Sequence, residues 1–309
     1  MWIANRWKTF EVLDAGGGEK LERWGDVVLR RPDPQAIWPR TGNEALWQKA
    51  DGVYHRSAKG GGEWEKRGMP EAWTLDYGAL SFHLRPFSFK HTGLFPEQAV
   101  NWDFMSSIIE EAARPARVLN LFAYTGGATC ALLAAGAEVT HVDASKGMVT
   151  AAKENAALSG LADKKVRWLV DDCQKFVERE IRRGNRYDAI LLDPPSYGRG
   201  PKGELWKIEE GIYPLLTACM RLLSEHPLFF VLNMYTTGLQ PGTLHYLLHT
   251  ALNEAAPAAA KHARIEAAEI GLPVTASGAV LPCGGCGRVL FSKCNQSSPG
   301  SASCGDRAG

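Results

Sequence analysis

From about Val118 the chain alternates short apolar runs with helix-periodic stretches, and each apolar run stops at a glycine turn or an acid. Val118, Leu119, Leu121 and Phe122 read as a strand that breaks at Thr125-Gly126-Gly127. An alanine-rich helical stretch follows, then a second apolar run ending at Asp143, which makes a βαβ unit. Ser145 caps a helix running to Gly160, with apolar Met148, Ala152, Ala156 and Leu158 on one face. Val166 to Val170 is a third strand ending at Asp171-Asp172, and Cys173 to Arg183 is helical. Tyr187 to Leu192 is a fourth strand ending at Asp193-Pro194-Pro195-Ser196-Tyr197. A glycine-rich loop (198–203), a helix near Glu209 to Leu223, a fifth strand near Leu228 to Leu232 and a helix from Leu244 to Ala255 come next. Arg264 to Ile270 and Arg288 to Phe291 are expected to close the sheet. The repeated βα pattern predicts an α/β fold, a Rossmann-like doubly wound, mostly parallel sheet.

Upstream the pattern changes. Leu80, Phe82 and Leu84 alternate with Ser81, His83 and Arg85, Asp26 to Arg31 reads as a strand closed by Pro32 and Pro34, and seven of the ten tryptophans lie before Pro86. We therefore expect a small β-rich N-terminal module over 1–88, a catalytic domain over 89–294, and a disordered Ser/Gly-rich tail over 295–309. The tryptophans read as core of the module. The alternative is a nucleic-acid surface built with Arg30, Arg31, Arg40, Lys49, Arg56, Lys59, Lys66 and Arg67.

Composition narrows the classes. A formal net charge of +1 excludes nucleic-acid binding by bulk charge. Apolar runs are strand-length, and the first residues lack a basic and then apolar leader pattern, so a cytoplasmic protein without a membrane partner is expected. The seven cysteines read as free thiols. Cys283-x-x-Cys286 with Cys294 and Cys304 invites a zinc reading, which the low-complexity setting of the last cysteine opposes, and no metal is expected.

Glycines at Gly126 and Gly127 let backbone approach a ligand, and Asp143 at the next strand tip suits a ribose. A dinucleotide fold needs Gly-x-Gly-x-x-Gly for its pyrophosphate, which is missing here. An adenosine ligand without phosphates, S-adenosyl-L-methionine, fits better. Asp172 is placed to accept from the adenine amino group with Cys173 beside the ring. Asp193, Pro194 and Pro195 face a substrate nitrogen, with Tyr197 stacking on a flat base.

From Lys90 to Phe291 the chain resembles the class I S-adenosylmethionine-dependent methyltransferases, within them the bacterial large-subunit ribosomal RNA methyltransferase group. The residues carrying the resemblance are Lys90-His91-Thr92-Gly93, Asn120 to Gly127, Val142 to Ser145, Asp171-Asp172 and Leu192 to Tyr197. It implies cofactor contacts at His91, Thr92, Phe122, Ala123, Tyr124, Thr125, Gly126, Gly127, Asp143, Ala144, Ser145, Asp172, Cys173 and Asp193. It also implies catalytic roles for Asp193, Pro194, Pro195 and Tyr197, and RNA, ribosomal RNA first, as the substrate. Many relatives carry an acid where this chain has Asn120. Relatives that methylate carbon 5 of cytosine place a cysteine after the fifth strand, whereas Leu232 to Thr237 holds none, so nitrogen is favoured over carbon. A carbon-5 cytosine enzyme, a protein or small-molecule acceptor, a nicotinamide oxidoreductase and a non-catalytic adenosine-ligand-binding protein that contacts RNA are the alternatives. Oligomeric state is not fixed by the sequence.

Overall fold

In the computed structural model, which describes residues 1–292 apart from 43, 58–60, 201–202 and 237, the first part of the chain is built of strands. Strand β1 (Trp2–Ile3) joins a distant sheet. Strands β2 (Phe10–Gly16), β3 (Glu19–Trp24), β4 (Val27–Pro32), β5 (Gly52–Arg56) and β6 (Gly62–Lys66) form one five-stranded sheet, with the short helix α1 (Glu44–Gln48) before β5. Strands β7 (Trp73–Tyr77) and β8 (Leu80–Leu84) form a separate hairpin. The expectations for Lys59, Gly60, Lys202, Thr237, Cys294, Cys304 and the 295–309 tail fall outside the described residues.

The tryptophans here are anchors more than surface. Trp24 and Trp47 are fully buried. The indole N–H groups of Trp7, Trp38 and Trp64 donate to the carbonyls of Pro96, Ala15 and Phe87, and that of Trp47 donates to the Asp14 carboxylate at 2.9 Å. Several of the module's basic residues are paired with acids. Arg30 and Arg40 pair with Glu19, Arg31 with Glu22, Lys66 with Glu71, and Arg67 with Glu65. This removes most of the charge from the nucleic-acid surface considered as the alternative.

The second part is the expected βα series. Helix α2 (Ala99–Ala112) stops at Ala113, which takes a left-handed φ of 51° ahead of Arg114-Pro115. Then come β9 (Arg117–Leu121), α3 (Gly127–Ala134), β10 (Glu138–Asp143), α4 (Lys146–Leu158), β11 (Val166–Val170), α5 (Cys173–Arg182) and β12 (Ala189–Leu192). Where a glycine-rich loop was expected, β13 (Tyr197–Arg199) and β14 (Leu205–Lys207) pair as an antiparallel hairpin. Helix α6 (Ile208–Met220), β15 (Phe229–Met234), helices α7 (Pro241–Ala255) and α8 (Pro257–Ala260), and the long antiparallel pair β16 (Ala263–Pro273) and β17 (Val280–Phe291) complete it.

The large sheet has the order β1-β16-β17-β15-β12-β9-β10-β11. From β15 to β11 every pairing is parallel, while β17 runs antiparallel to both β15 and β16. Every residue of β12 and β15 is buried, because helices cover both faces of a parallel sheet and leave its central strands no polar side. From β9 the chain steps outward through β10 to β11 and then returns to the other side of β9 as β12. This is the topological switch point at which open α/β sheets bind their ligands, beyond the strand carboxyl ends.

Apolar packing runs unbroken across residue 88. Trp7 lies 5.8 Å from Phe10 and 6.1 Å from Trp102, ring to ring, and Phe82 meets Trp102 at 5.5 Å. Strand β1 pairs in parallel with β16, matching Trp2 with Ile270, and Val12 bridges to Val274. Among the described residues no helix is long and apolar enough to cross a membrane.

Candidate active site

At the switch point lies a cavity of about 660 Å³, within the size range of small-molecule sites. Its walls include His91, Phe122, Tyr124, Asp143, Ala144, Ser145, Asp172, Cys173, Asp193, Pro194 and Pro195, so residues from four strand ends and the 90–95 segment meet in one place.

The first strand end is wound tightly. Phe122 and Tyr124 have φ of 55° and 51° and Gly126 has φ of 81°, so the chain turns back on itself between β9 and α3. Non-glycine residues in this region are uncommon and signal a turn held by its surroundings. Asp143 does the holding. One carboxylate oxygen accepts from the Tyr124 N–H at 2.8 Å and the other from the Ser145 N–H at 2.8 Å. Burial raises the Asp143 carboxyl above its ordinary range, and these two bonds offset part of that. A carboxylate has about four acceptor sites, so Asp143 keeps capacity for two ligand hydroxyls.

The glycines of the turn serve packing as much as ligand approach. A Cβ on Gly127 would lie 2.6 Å from the Trp102 ring, and one on Gly126 would lie 2.8 Å from the Ala152 Cβ. Ala123, Thr125 and Gly127 line a second cavity of about 50 Å³ that shares Phe122, Tyr124 and Asp193 with the large one. The Thr125 hydroxyl donates to the Gly93 carbonyl, which ties the turn to the 90–95 segment. Thr92 is fully buried and off the cavity wall. Asn120 faces inward, its amide donating to the Thr129 hydroxyl at 2.9 Å.

Asp172 caps α5, accepting from the Lys175 N–H at 2.9 Å, and keeps its other oxygen near Gly200 of the hairpin. At the fourth strand end, the Pro195 carbonyl is taken by the Trp206 indole N–H at 2.7 Å. Tyr197 sits on β13, exposed and away from the cavity wall, whereas Trp206 of β14 lines it and packs on Phe122 at 5.2 Å. Asp193 is the outlier. Its Oδ1 is buried without a hydrogen-bond partner among the described residues, and burial, with the Glu97 carboxyl nearby, pushes its carboxyl up to about 7.

Lys20, Glu97, Trp206 and Tyr235 line the wall without having been singled out in the sequence, and Arg31 and Cys283, which were considered for a nucleic-acid surface and for zinc, line it as well. The fifth strand is followed by no cysteine, yet β17 beside it brings Cys283 to the same cavity. Burial and the Glu97 carboxyl push that thiol well above its usual range, which disfavours the thiolate. Cys286 points into the core, where Arg288 and Asn101 surround it. Cys283 and Cys286 thus both lie along β17, the first on the cavity wall and the second in the core.

A family model described as S-adenosylmethionine-dependent methyltransferase matches residues 47–206, just over half of the chain. The chain belongs to this family. The crystal structure of a SAM-dependent methyltransferase from Agrobacterium tumefaciens superposes with a TM-score of 0.86 at 36% identity, covering 93% of each chain. A Streptococcus mutans chain, at 16% identity and a TM-score of 0.70 over 93% of this chain and 76% of its own, shares the fold. Ribosomal RNA large subunit methyltransferase K/L from Shewanella frigidimarina is 32% identical over 208 residues, 66% of this chain and 27% of that protein. The Shewanella baltica protein of the same name is 30% identical over 206 residues, 65% of this chain and 27% of its own length. The chain therefore spans about a quarter of the length of these curated relatives.

The cofactor of this methyltransferase family is S-adenosylmethionine, and the cavity fits it. Asp143 retains acceptor capacity, Phe122 and Tyr124 offer apolar faces, and the buried carboxyls of Asp143 and Asp193 suit a ligand carrying a cationic centre. The antiparallel β17 between β15 and β16 also departs from the all-parallel 3-2-1-4-5-6 order of the dinucleotide fold.

Proposed function

We propose that this chain transfers a methyl group from S-adenosylmethionine to a nitrogen of an RNA base, ribosomal RNA first among substrates, in the cytoplasm. The observation that carries the reading is Asp193: a carboxyl on the wall of the cavity, one oxygen buried without a partner among the described residues, and poised near neutrality. A proton acceptor works best with a pKa near the working pH. S-adenosylmethionine held at the turn 122–127, Asp143 to Ser145 and Asp172 to Cys173 supplies an electrophilic methyl on a sulfonium. Asp193 then takes the proton that the substrate nitrogen sheds, while Pro194 stiffens the backbone beside it. Trp206, in place of Tyr197, offers the aromatic face for a flat base. The module up to about residue 88 closes one side of the cavity, and residues 89–292 carry the cofactor side. The names of the Shewanella relatives support RNA as the substrate, and the free thiols of the five described cysteines suit a reducing compartment.

Two measurements test this. Calorimetric titration with S-adenosylmethionine should show Asp143→Ala losing about two orders of magnitude in affinity, since each hydrogen bond to a charged acceptor contributes about 1.5–3 kcal/mol. An unchanged affinity would remove Asp143 from the cofactor site. In the second, transcribed large-subunit ribosomal RNA is incubated with methyl-labelled cofactor and digested to nucleosides. Label is expected in a nitrogen-methylated nucleoside, and Cys283→Ser should keep at least half of the wild-type rate. Label in 5-methylcytidine, lost with Cys283→Ser, would replace the nitrogen reading with covalent carbon-5 methylation.

A further inference from the structure

The cavity is electrically two-sided. The strand ends contribute Asp143, Asp172 and Asp193, whereas the module side contributes Lys20 from β3, Arg31 from β4 and, just beyond the module, Lys90. The cations are not evenly matched by acids. Arg31 grips both oxygens of Glu22, at 2.6 and 2.9 Å, and donates a third N–H to the Lys90 carbonyl at 3.0 Å. Lys20 stands 3.2 Å from Glu22 and 3.6 Å from Asp33. The Lys90 ammonium donates to the Pro32 carbonyl at 3.3 Å and has no acid partner among the described residues. Lys20 and Arg31 thus have Glu22, Asp33 and the nearby Glu97 carboxyl, which burial holds above its usual range, whereas Lys90 alone of the three has no carboxylate at ion-pair distance among the described residues.

Burial, then Lys20 and Arg31, pull the Lys90 ammonium down to about 8. Burial, then Arg31 and Lys90, pull the adjacent His91 down to about 3, which keeps it neutral. The charges that act most strongly on Lys90 are Lys20, Arg31 and Arg56, which are positive, and Asp33, which is negative; the Glu22 and Glu97 carboxyls stand beside Lys20 and Arg31 in the same cluster. A mostly buried ammonium without a counter-ion costs stability, and such groups are kept where a ligand supplies the missing charge.

We infer that Lys90, backed by Lys20 and Arg31, is an anion anchor that holds a backbone phosphate of the RNA strand whose base reaches Asp193. The inference rests on the RNA reading above. It gives the N-terminal module a task in substrate binding, because two of the three cations belong to it. The carboxylate at the amino-acid end of the cofactor offers the same chemistry, and the experiment separates the two sources.

The probe is a short single-stranded RNA of mixed sequence, labelled with fluorescein, bound in the presence of saturating S-adenosylhomocysteine over a series of KCl concentrations. Lys90→Met should weaken binding about tenfold or more. It should also reduce the slope of log affinity against log salt by about 0.7–1, the value of one lost phosphate contact. Lys90→Arg should keep both. Near pH 8 wild-type protein should take up protons on binding RNA, read by calorimetry in two buffers of different ionisation enthalpy, and Lys90→Arg should not. An unchanged slope in Lys90→Met, or a lost slope in Lys90→Arg, overturns the anchor. If Lys90→Met weakens S-adenosylhomocysteine and leaves the RNA slope intact, the anion is the cofactor's carboxylate and the phosphate assignment is overturned. Absence of RNA binding by the wild type at the lowest salt overturns the RNA reading itself.

Discussion

Asp193→Asn is expected to lower the methyl-transfer rate by about 10²–10⁴-fold, the usual contribution of a positioned proton acceptor, with a far smaller effect on cofactor affinity. The pH dependence gives a second readout. The carboxyl must be ionised to accept a proton, and it titrates near 7, so the wild-type rate should climb through neutrality to a plateau and the residual rate of the variant should not. Stability should move the other way. Because the fold raises this carboxyl above its ordinary value of 3.8, its contribution favours the folded state when protonated. That contribution is fully present below pH 3.8 and is lost as pH climbs through about 7. Above pH 7 the neutral amide should therefore melt higher than the wild type. A variant with wild-type rate, or one whose rate still rises through neutrality, would remove Asp193 from the chemistry.

Glu22→Gln is expected to destabilise the protein by about 3–5 kcal/mol, the range for breaking a buried ion pair from one side. The carboxylate is fully buried, as Arg31 nearly is. Neutralising it strands the Arg31 guanidinium over the Trp24 ring, 5.1 Å away, and leaves Lys20 with Asp33 alone. Burial opposes the charge on Glu22, but Arg31 and Lys20 outweigh it and hold the carboxyl at about 2. Its stabilisation is present above the ordinary value of 4.5 and is lost as pH falls through about 2. Thermal unfolding of Glu22→Gln, Arg31→Met and the double variant distinguishes pairing from packing. The double variant should be less destabilised than the two single effects added together, because it leaves fewer unpaired charges. Additive losses would show that the pair is not coupled.

The sequence was legible where local chemistry and tertiary structure agree. Val166 to Val170 is a strand over those residues, Ser145 caps α4, and the acids ending β10, β11 and β12 lie on one cavity. It was illegible where packing overrides composition. Leu281 to Gly287 has the glycines and proline of a turn, yet it is the first half of β17. A Cβ on Gly284 would lie 2.9 Å from the Tyr235 ring and one on Gly287 would lie 2.5 Å from Leu248, close approaches that side chains would block. The hairpin of β13 and β14 was missed for the same reason, and with it Trp206. Lys20 and Arg31 were hidden differently. In the sequence they look like surface charge, and only the pairing of β3 with β4 places Lys20 opposite Arg31 with Glu22 between them.

The pairing of β1 with β16, matching Trp2 with Ile270, and of Val12 with Val274 joins segments that lie far apart along the chain. Closing such contacts means closing a loop of most of the chain, and topologies of this kind fold slowly because that entropy must be lost before the contacts form. Strands β2 to β6 can pair with one another early, but their core is not closed until β16 packs on it. Phe10, Trp24 and Phe82 share their core with Trp102 and Ile270, so that core stays incompletely covered until β16 has docked. Apolar surface left open over that interval is the kind that invites aggregation during folding.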